Sequence, residues 1–163
     1  KENDMNFQPK KTISLKNNVE FANHECKYTN DKSVNKEYDF NSEFKLDVIN
    51  KELFDTTAEK CARILSNSKS NKGTQLRRFY DELVMWYERV HSDDEAFQNV
   101  LPFIFMIKSK VAYAVGRDNV NKDFQNFMNC LIDQITNRNT LKNAKLFMEA
   151  VMGFYKQYRP KDN

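Results

Sequence analysis

Glycine, proline and cysteine occur three times each in this chain and histidine twice, and these scarcities remove much catalytic chemistry from consideration. With Gly only at 73, 116 and 153, no phosphate-cradling P-loop or dinucleotide fingerprint can be assembled, because both need several glycines at fixed spacing. Cys26, Cys61 and Cys130 are odd in number and far apart, which argues against a disulfide framework and suits a reducing compartment. His24 and Cys26 lack two further ligands at zinc spacing, so no metal is expected. Arg89 stands only two residues before His91, too close for the R-x4-6-H motif of helical RNases. The longest apolar run, around residues 100–107, falls far short of the roughly 20 residues that span a bilayer. No paired n-region and h-region opens the chain. A soluble, cytoplasmic protein without cofactor or membrane contact is expected. The sequence begins at Lys1 rather than at Met, so a chain trimmed at its start or following a removed segment is expected.

What is plentiful points to helices. Thirteen phenylalanines and a hydrophobic fraction of 40% can furnish a core within 163 residues, the size of one domain with a tail. Residues 1–51 read as a polar N-terminal extension, poorly structured on its own, in which FKLDV (44–48) alternates like a short extended segment. Residues 52–160 read as an all-α compact bundle of five or six helices. Asp55 is the expected cap of the first, with Phe54, Ala58, Cys61 and Leu65 on one face. SNSKSNKG (66–73) reads as a flexible linker carrying Lys69 and Lys72.

Thr74 is the expected cap of a helix with stripe Leu76, Phe79, Tyr80, Leu83, Trp86, Tyr87 and Val90. Ser92 and Glu95 form an S-x-x-E capping box, and Pro102 should kink or restart the helix that follows near Val100. That helix carries LPFIFMI into the core and closes at Gly116. Asn119 or Asn121 should cap the next, with Phe124, Phe127, Met128, Leu131 and Ile135 inward. Asn139 or Thr140 should start the last, which buries Leu141, Ala144, Phe147, Val151, Phe154 and Tyr158 and ends at Pro160. Trp86, Tyr87 and Tyr113 are read as core packing in preference to base stacking.

The net charge is only +3, so any anion-binding surface must be local. Arg77 and Arg78 fall at the start of the Thr74 helix, where the macrodipole disfavours cations. Pairing with Asp81 and Glu82 at i,i+4 compensates little, so an outside anion is the better explanation. Lys110 and Arg117, seven apart, share a helical face, whereas Lys108 points roughly 160° away. Residues 138–161 hold six cations, Lys142 and Lys145 among them, against Glu149 alone, a run that suits either a solvated face or phosphate.

Three blocks carry a family resemblance: QLRRFYDELVMWY (75–87), LPFIFMIKSKVAYAVGR (101–117) and LFMEAVMGFYKQY (146–158). In order and spacing they resemble the Csm small subunit of type III-A CRISPR complexes over about residues 70–160. The K-x-K-x-x-Y-x-x-G-R block is the most specific piece. The resemblance implies a helical protein without catalytic activity. Its copies stack as a filament beside the backbone subunits and contact guide RNA and target RNA, while cutting belongs to the backbone and large subunits. Its expected partners are those RNAs, the other complex subunits and further copies of itself. Together the charge pattern and the resemblance nominate Lys72, Arg77, Arg78, Lys108, Lys110, Arg117, Lys142 and Lys145 as RNA-binding. Rival readings are a helical protein-binding adaptor without RNA contact and a standalone DNA-binding regulator. The latter needs a helix-turn-helix, and none stands out.

Overall fold

The computed structural model describes residues 37–90 and 94–161, so His24, Cys26, His91 and Ser92 lie outside the described residues, as does most of the expected N-terminal extension. Among the described residues there are five α-helices and no strand. A π-helical turn over Leu53–Thr57 runs directly into α1 (Ala58–Ser66). It is followed by α2 (Gly73–Val90), α3 (Asp94–Gly116), α4 (Lys122–Asp133) and α5 (Arg138–Tyr158). α5 lies against both α1 and α2, while α3 packs on α2 and α4. The central position of α5 explains its wide inward face, on which Leu141, Ala144, Phe147, Met148, Val151 and Tyr155 are buried. Tyr155 takes the place in the core that the sequence reading gave to Phe154, which is half-buried.

The core begins earlier in the chain than residue 52. Phe40, Phe44 and Leu46 are enclosed, and Phe44 and Leu46 alternate with exposed Lys45 and Asp47, but the chain bends over residues 46–48 and Val48, the last apolar residue of FKLDV, is exposed. No neighbouring strand receives this segment; side chains of α4 and α5 do. The Leu46 amide donates to Gln134 Oε1 at 3.0 Å and its carbonyl accepts from Asn143 Nδ2 at 2.7 Å. Each of these apolar side chains contributes roughly 1.5–3 kcal/mol through burial, enough to order a segment whose composition is otherwise polar.

Several boundaries differ from the sequence reading for local reasons. Asn50, not Asp55, receives the first free amide, accepting from the Leu53 N–H at 2.8 Å, and Asp55 sits inside the first turn. Asn121 caps α4 through the Phe124 amide. Asn137 caps α5 in a reciprocal box with Thr140, two residues before the expected Asn139. Pro102 lies inside α3, which continues from Asp94 to Gly116 without restarting. That helix ends in a Schellman arrangement: the Asn119 amide donates to the Ala114 carbonyl and the Asp118 amide to that of Val115. The left-handed residue is Asp118, at φ 58°, rather than Gly116; aspartate tolerates this region better than most residues do.

The linker is pinned rather than free. Asn71 is fully buried. Its amide nitrogen donates to the Leu65 carbonyl and to Asn121 Oδ1, its side-chain oxygen accepts from the Asn121 N–H, and its carbonyl accepts from the Tyr155 hydroxyl. Arg159 adds hydrogen bonds to the carbonyls of Ser66 and Ser68. One asparagine with both donor and acceptor thus ties the α1–α2 linker to the start of α4 and the end of α5.

Candidate nucleic-acid interface

α2 and the C-terminal half of α3 run beside each other and leave a cleft of about 500 Å³. From α2, positions three and four apart bring Gln75, Arg78, Phe79 and Glu82 to its wall. From α3, Ser109, Lys110, Tyr113 and Ala114 do the same, joined by Arg117 and Asn119 from the turn that follows. Three cations drawn from segments more than thirty residues apart therefore meet at one opening, over a floor closed by buried Phe79 and Ala114. One carboxylate tempers them: Glu82 Oε1 accepts from Lys110 Nζ at 2.5 Å. The Arg117 guanidinium lies 5.6 Å from the Tyr113 ring centroid and donates to its hydroxyl at 3.1 Å. Such a cleft can hold a phosphate-bearing strand by charge.

The other nominated cations are dispersed. Arg77 turns to a different face of α2, where its Nε meets Asp81 Oδ1 at 2.7 Å and its guanidinium lies over Tyr80, 5.1 Å from the ring centroid. Of the two expected i,i+4 pairs, only Arg77–Asp81 forms, because Glu82 is engaged by Lys110 from the neighbouring helix. Both arginines fall in the second turn of α2, which starts at Gly73, so the macrodipole penalty is weaker than the sequence reading supposed. Lys108 reaches the α4 side, where it pairs with Asp133 and lies over Phe105. Lys145 pairs with Glu149 at 3.3 Å, and Lys142 is exposed on α5. Lys72 is exposed at the end of the linker. Arg159, part of the C-terminal cationic run, serves the linker carbonyls instead.

Two features of the corner were not legible in the sequence. LPFIFMI does not pack as a block: Ile104 and Ile107 are buried, but Phe103 and Met106 are 49% and 51% exposed. α3 has partners on only part of its circumference, so an all-apolar run must show some of its side chains to solvent. Phe103 is stacked on Trp86, with centroids 5.7 Å apart. The other surprise is Tyr113, read as core but 66% exposed at the cleft. Its spacing from Lys110 and Arg117 was the available signal, since all three lie on one helical face.

Elsewhere, the two cysteines among the described residues are both buried. Burial pushes the Cys61 thiol up to about 12 and raises that of Cys130, so both stay protonated and act as small apolar groups. Among the described residues, no three His, Cys, Asp or Glu side chains cluster as a metal site would require, and no helix is long and apolar enough to cross a membrane.

A family model described as Csm2 Type III-A matches residues 49–161. No curated protein and no solved structure matches the chain.

Proposed function

The chain belongs to the Csm2 family and is thereby a subunit of a type III-A CRISPR complex, and we propose that it is the non-catalytic small subunit whose α2–α3 cleft contacts the backbone of the target strand. Copies of it stack along the guide RNA–target RNA duplex, in the cytoplasm, as part of antiviral defence. The observation that carries this reading is the convergence of Arg78, Lys110 and Arg117 on one cleft. Gathered cations suit a subunit that recognises the strand's backbone, with sequence read by guide pairing, the same division of labour as in RNA-guided DNA recognition.

The test is target-RNA binding by complexes rebuilt with the triple variant Arg78→Ala, Lys110→Ala, Arg117→Ala. Each substitution is exposed and should change the stability of the free subunit by no more than about 0.5 kcal/mol. Target affinity should fall, and the log–log dependence on salt should become shallower by up to roughly two, at about 0.7 per lost phosphate contact on a single strand. Lys72→Ala and the pair Lys142→Ala, Lys145→Ala should have smaller effects, since none of these residues lines the cleft.

The adaptor reading has one observation in its favour: Met85, Phe103 and Met106 are exposed apolar side chains. They fit a protein neighbour within the complex, but they do not account for the gathered cations. A triple variant that assembles and binds target with unchanged affinity and salt dependence would leave the adaptor as the better account.

A further inference from the structure

Tyr113 is the most exposed of the described tyrosines, the others, Tyr87 included, being buried or half-buried. The hydroxyls of Tyr38, Tyr80, Tyr155 and Tyr158 are tied to Glu43, Glu149, the Asn71 carbonyl and Glu59. Tyr113 is 66% exposed, and the residue bonded to it, Arg117, is itself an exposed cation of the cleft. Its backbone is held firmly all the same, because it lies within α3 between the buried anchors Val111 and Ala114. A ring fixed on a helix loses little conformational freedom when it meets a partner, having only two side-chain torsions to settle. Core packing cannot explain a ring so placed, and the flanking Lys110 and Arg117 make an apolar partner a poor match.

From this we infer that Tyr113 is a stacking platform for an unpaired nucleobase of the strand whose phosphates lie on Arg78, Lys110 and Arg117. The inference rests on the reading of the cleft as an RNA-backbone site and adds what that site does with bases. Aromatic rings set along a cationic groove are the usual means of holding single strands, and they tolerate any sequence because every base offers a π-face. In a duplex those faces are covered by neighbouring bases, so within the complex Tyr113 acts only at target-strand positions not paired with the guide, and the free subunit favours single-stranded RNA over double-stranded. Arg117 serves twice, meeting a phosphate and holding the ring through its hydroxyl, and a base stacks on the face of the ring away from the guanidinium.

The experiment uses the full chain and three RNAs of equal length: an oligoadenylate, the same backbone with abasic positions, and a duplex. Tyr113→Leu should weaken binding to the oligoadenylate roughly 5- to 150-fold, the range found when a stacking ring is removed, with an unchanged salt slope and an unchanged melting temperature. Tyr113→Phe, which keeps the ring, should bind like the parent. On abasic RNA and on duplex, parent and Tyr113→Leu should bind alike. A 2-aminopurine placed in the strand should be quenched by the parent and not by Tyr113→Leu. If Tyr113→Leu weakens abasic RNA as much as oligoadenylate, the ring only positions Arg117, and the stacking role is overturned. If Tyr113→Leu is silent while Arg78→Ala weakens binding, stacking is wrong and the phosphate reading stands. If neither substitution matters, the phosphate reading has failed and the stacking role falls with it.

Discussion

On the α4–α5 side of the bundle, Phe124, Phe127 and Phe147 are enclosed with Phe40 and Phe44 from the preceding segment, ring against ring at centroid separations of 4.6–6.4 Å. At the α2–α3 corner, Phe103, Met106 and Tyr113 stand about half or more in solvent. Charge is treated just as differently. Beside the enclosed rings, Lys60 meets Glu43 at 2.6 Å, one cation to one carboxylate. At the corner, three cations share a cleft with Glu82 alone. The same residue types therefore do opposite work. Where aromatic rings have neighbours on every side they supply stability, and where α3 lacks a neighbour among the described residues they stand in solvent.

The sharpest way to break that comparison is to remove one ring from each region. Phe147→Ala should destabilise the protein by about 3–5 kcal/mol, because a fully buried ring leaves a cavity when truncated. Phe103→Ala should cost only about 1 kcal/mol, the size of one aromatic pair, here the stack with Trp86. Denaturant unfolding of the two variants gives both numbers, and similar losses would show that the corner is core after all.

Next in size is the polar tie behind the linker. Asn71→Ala leaves the Asn121 amide and the Leu65 carbonyl without their buried partner, at a cost of about 1–3 kcal/mol. Hydrogen exchange should show the loss concentrated at the start of α4. A neutral result would return residues 66–73 to the free linker that their composition suggests.

A smaller effect tests the corner directly. Glu82→Gln keeps the side chain's shape and removes the carboxylate that engages Lys110. RNA affinity of the free subunit should rise modestly and its salt dependence should steepen, while the melting temperature stays close to the parent's. A fall in affinity would mean that Glu82 holds Lys110 in its working position rather than competing with phosphate.

The smallest expected effect is a pH dependence on the enclosed side. The hydrogen bond from Lys60, then that from Tyr38, holds the Glu43 carboxyl below its usual 4.5. A depressed carboxylate stabilises the fold fully above the unfolded value and loses that contribution as pH falls through the folded one. Stability between pH 5 and pH 3 should thus drop slightly less in Glu43→Gln than in the parent. An identical acid profile would mean that the Lys60 pair contributes nothing measurable, as for many exposed pairs.

The stripes of α2 and α4 were legible in the chain because their apolar residues recur at three and four, and Leu76, Phe79, Leu83, Phe124, Phe127 and Leu131 are all buried as that spacing demands. Phe40, Phe44 and Leu46 were not, since three apolar residues in a polar stretch carry too little period to signal docking on distant helices. The cleft was half legible. Lys110 and Arg117 share a face by periodicity alone, but nothing local could say that Arg78 would stand opposite them.

By itself, then, the order of residues determined the helices, most of their inward faces and the family, because each depends on spacing within a window of a few turns. Tertiary structure decided the rest. It made Asn71 a buried tie, let α3 run through Pro102, exposed half of an apolar run and gathered three of eight nominated cations while sending the others to separate faces. The physical reason is that a side chain's environment depends on which helices stand beside its own, and that neighbourhood is settled only when the whole core closes.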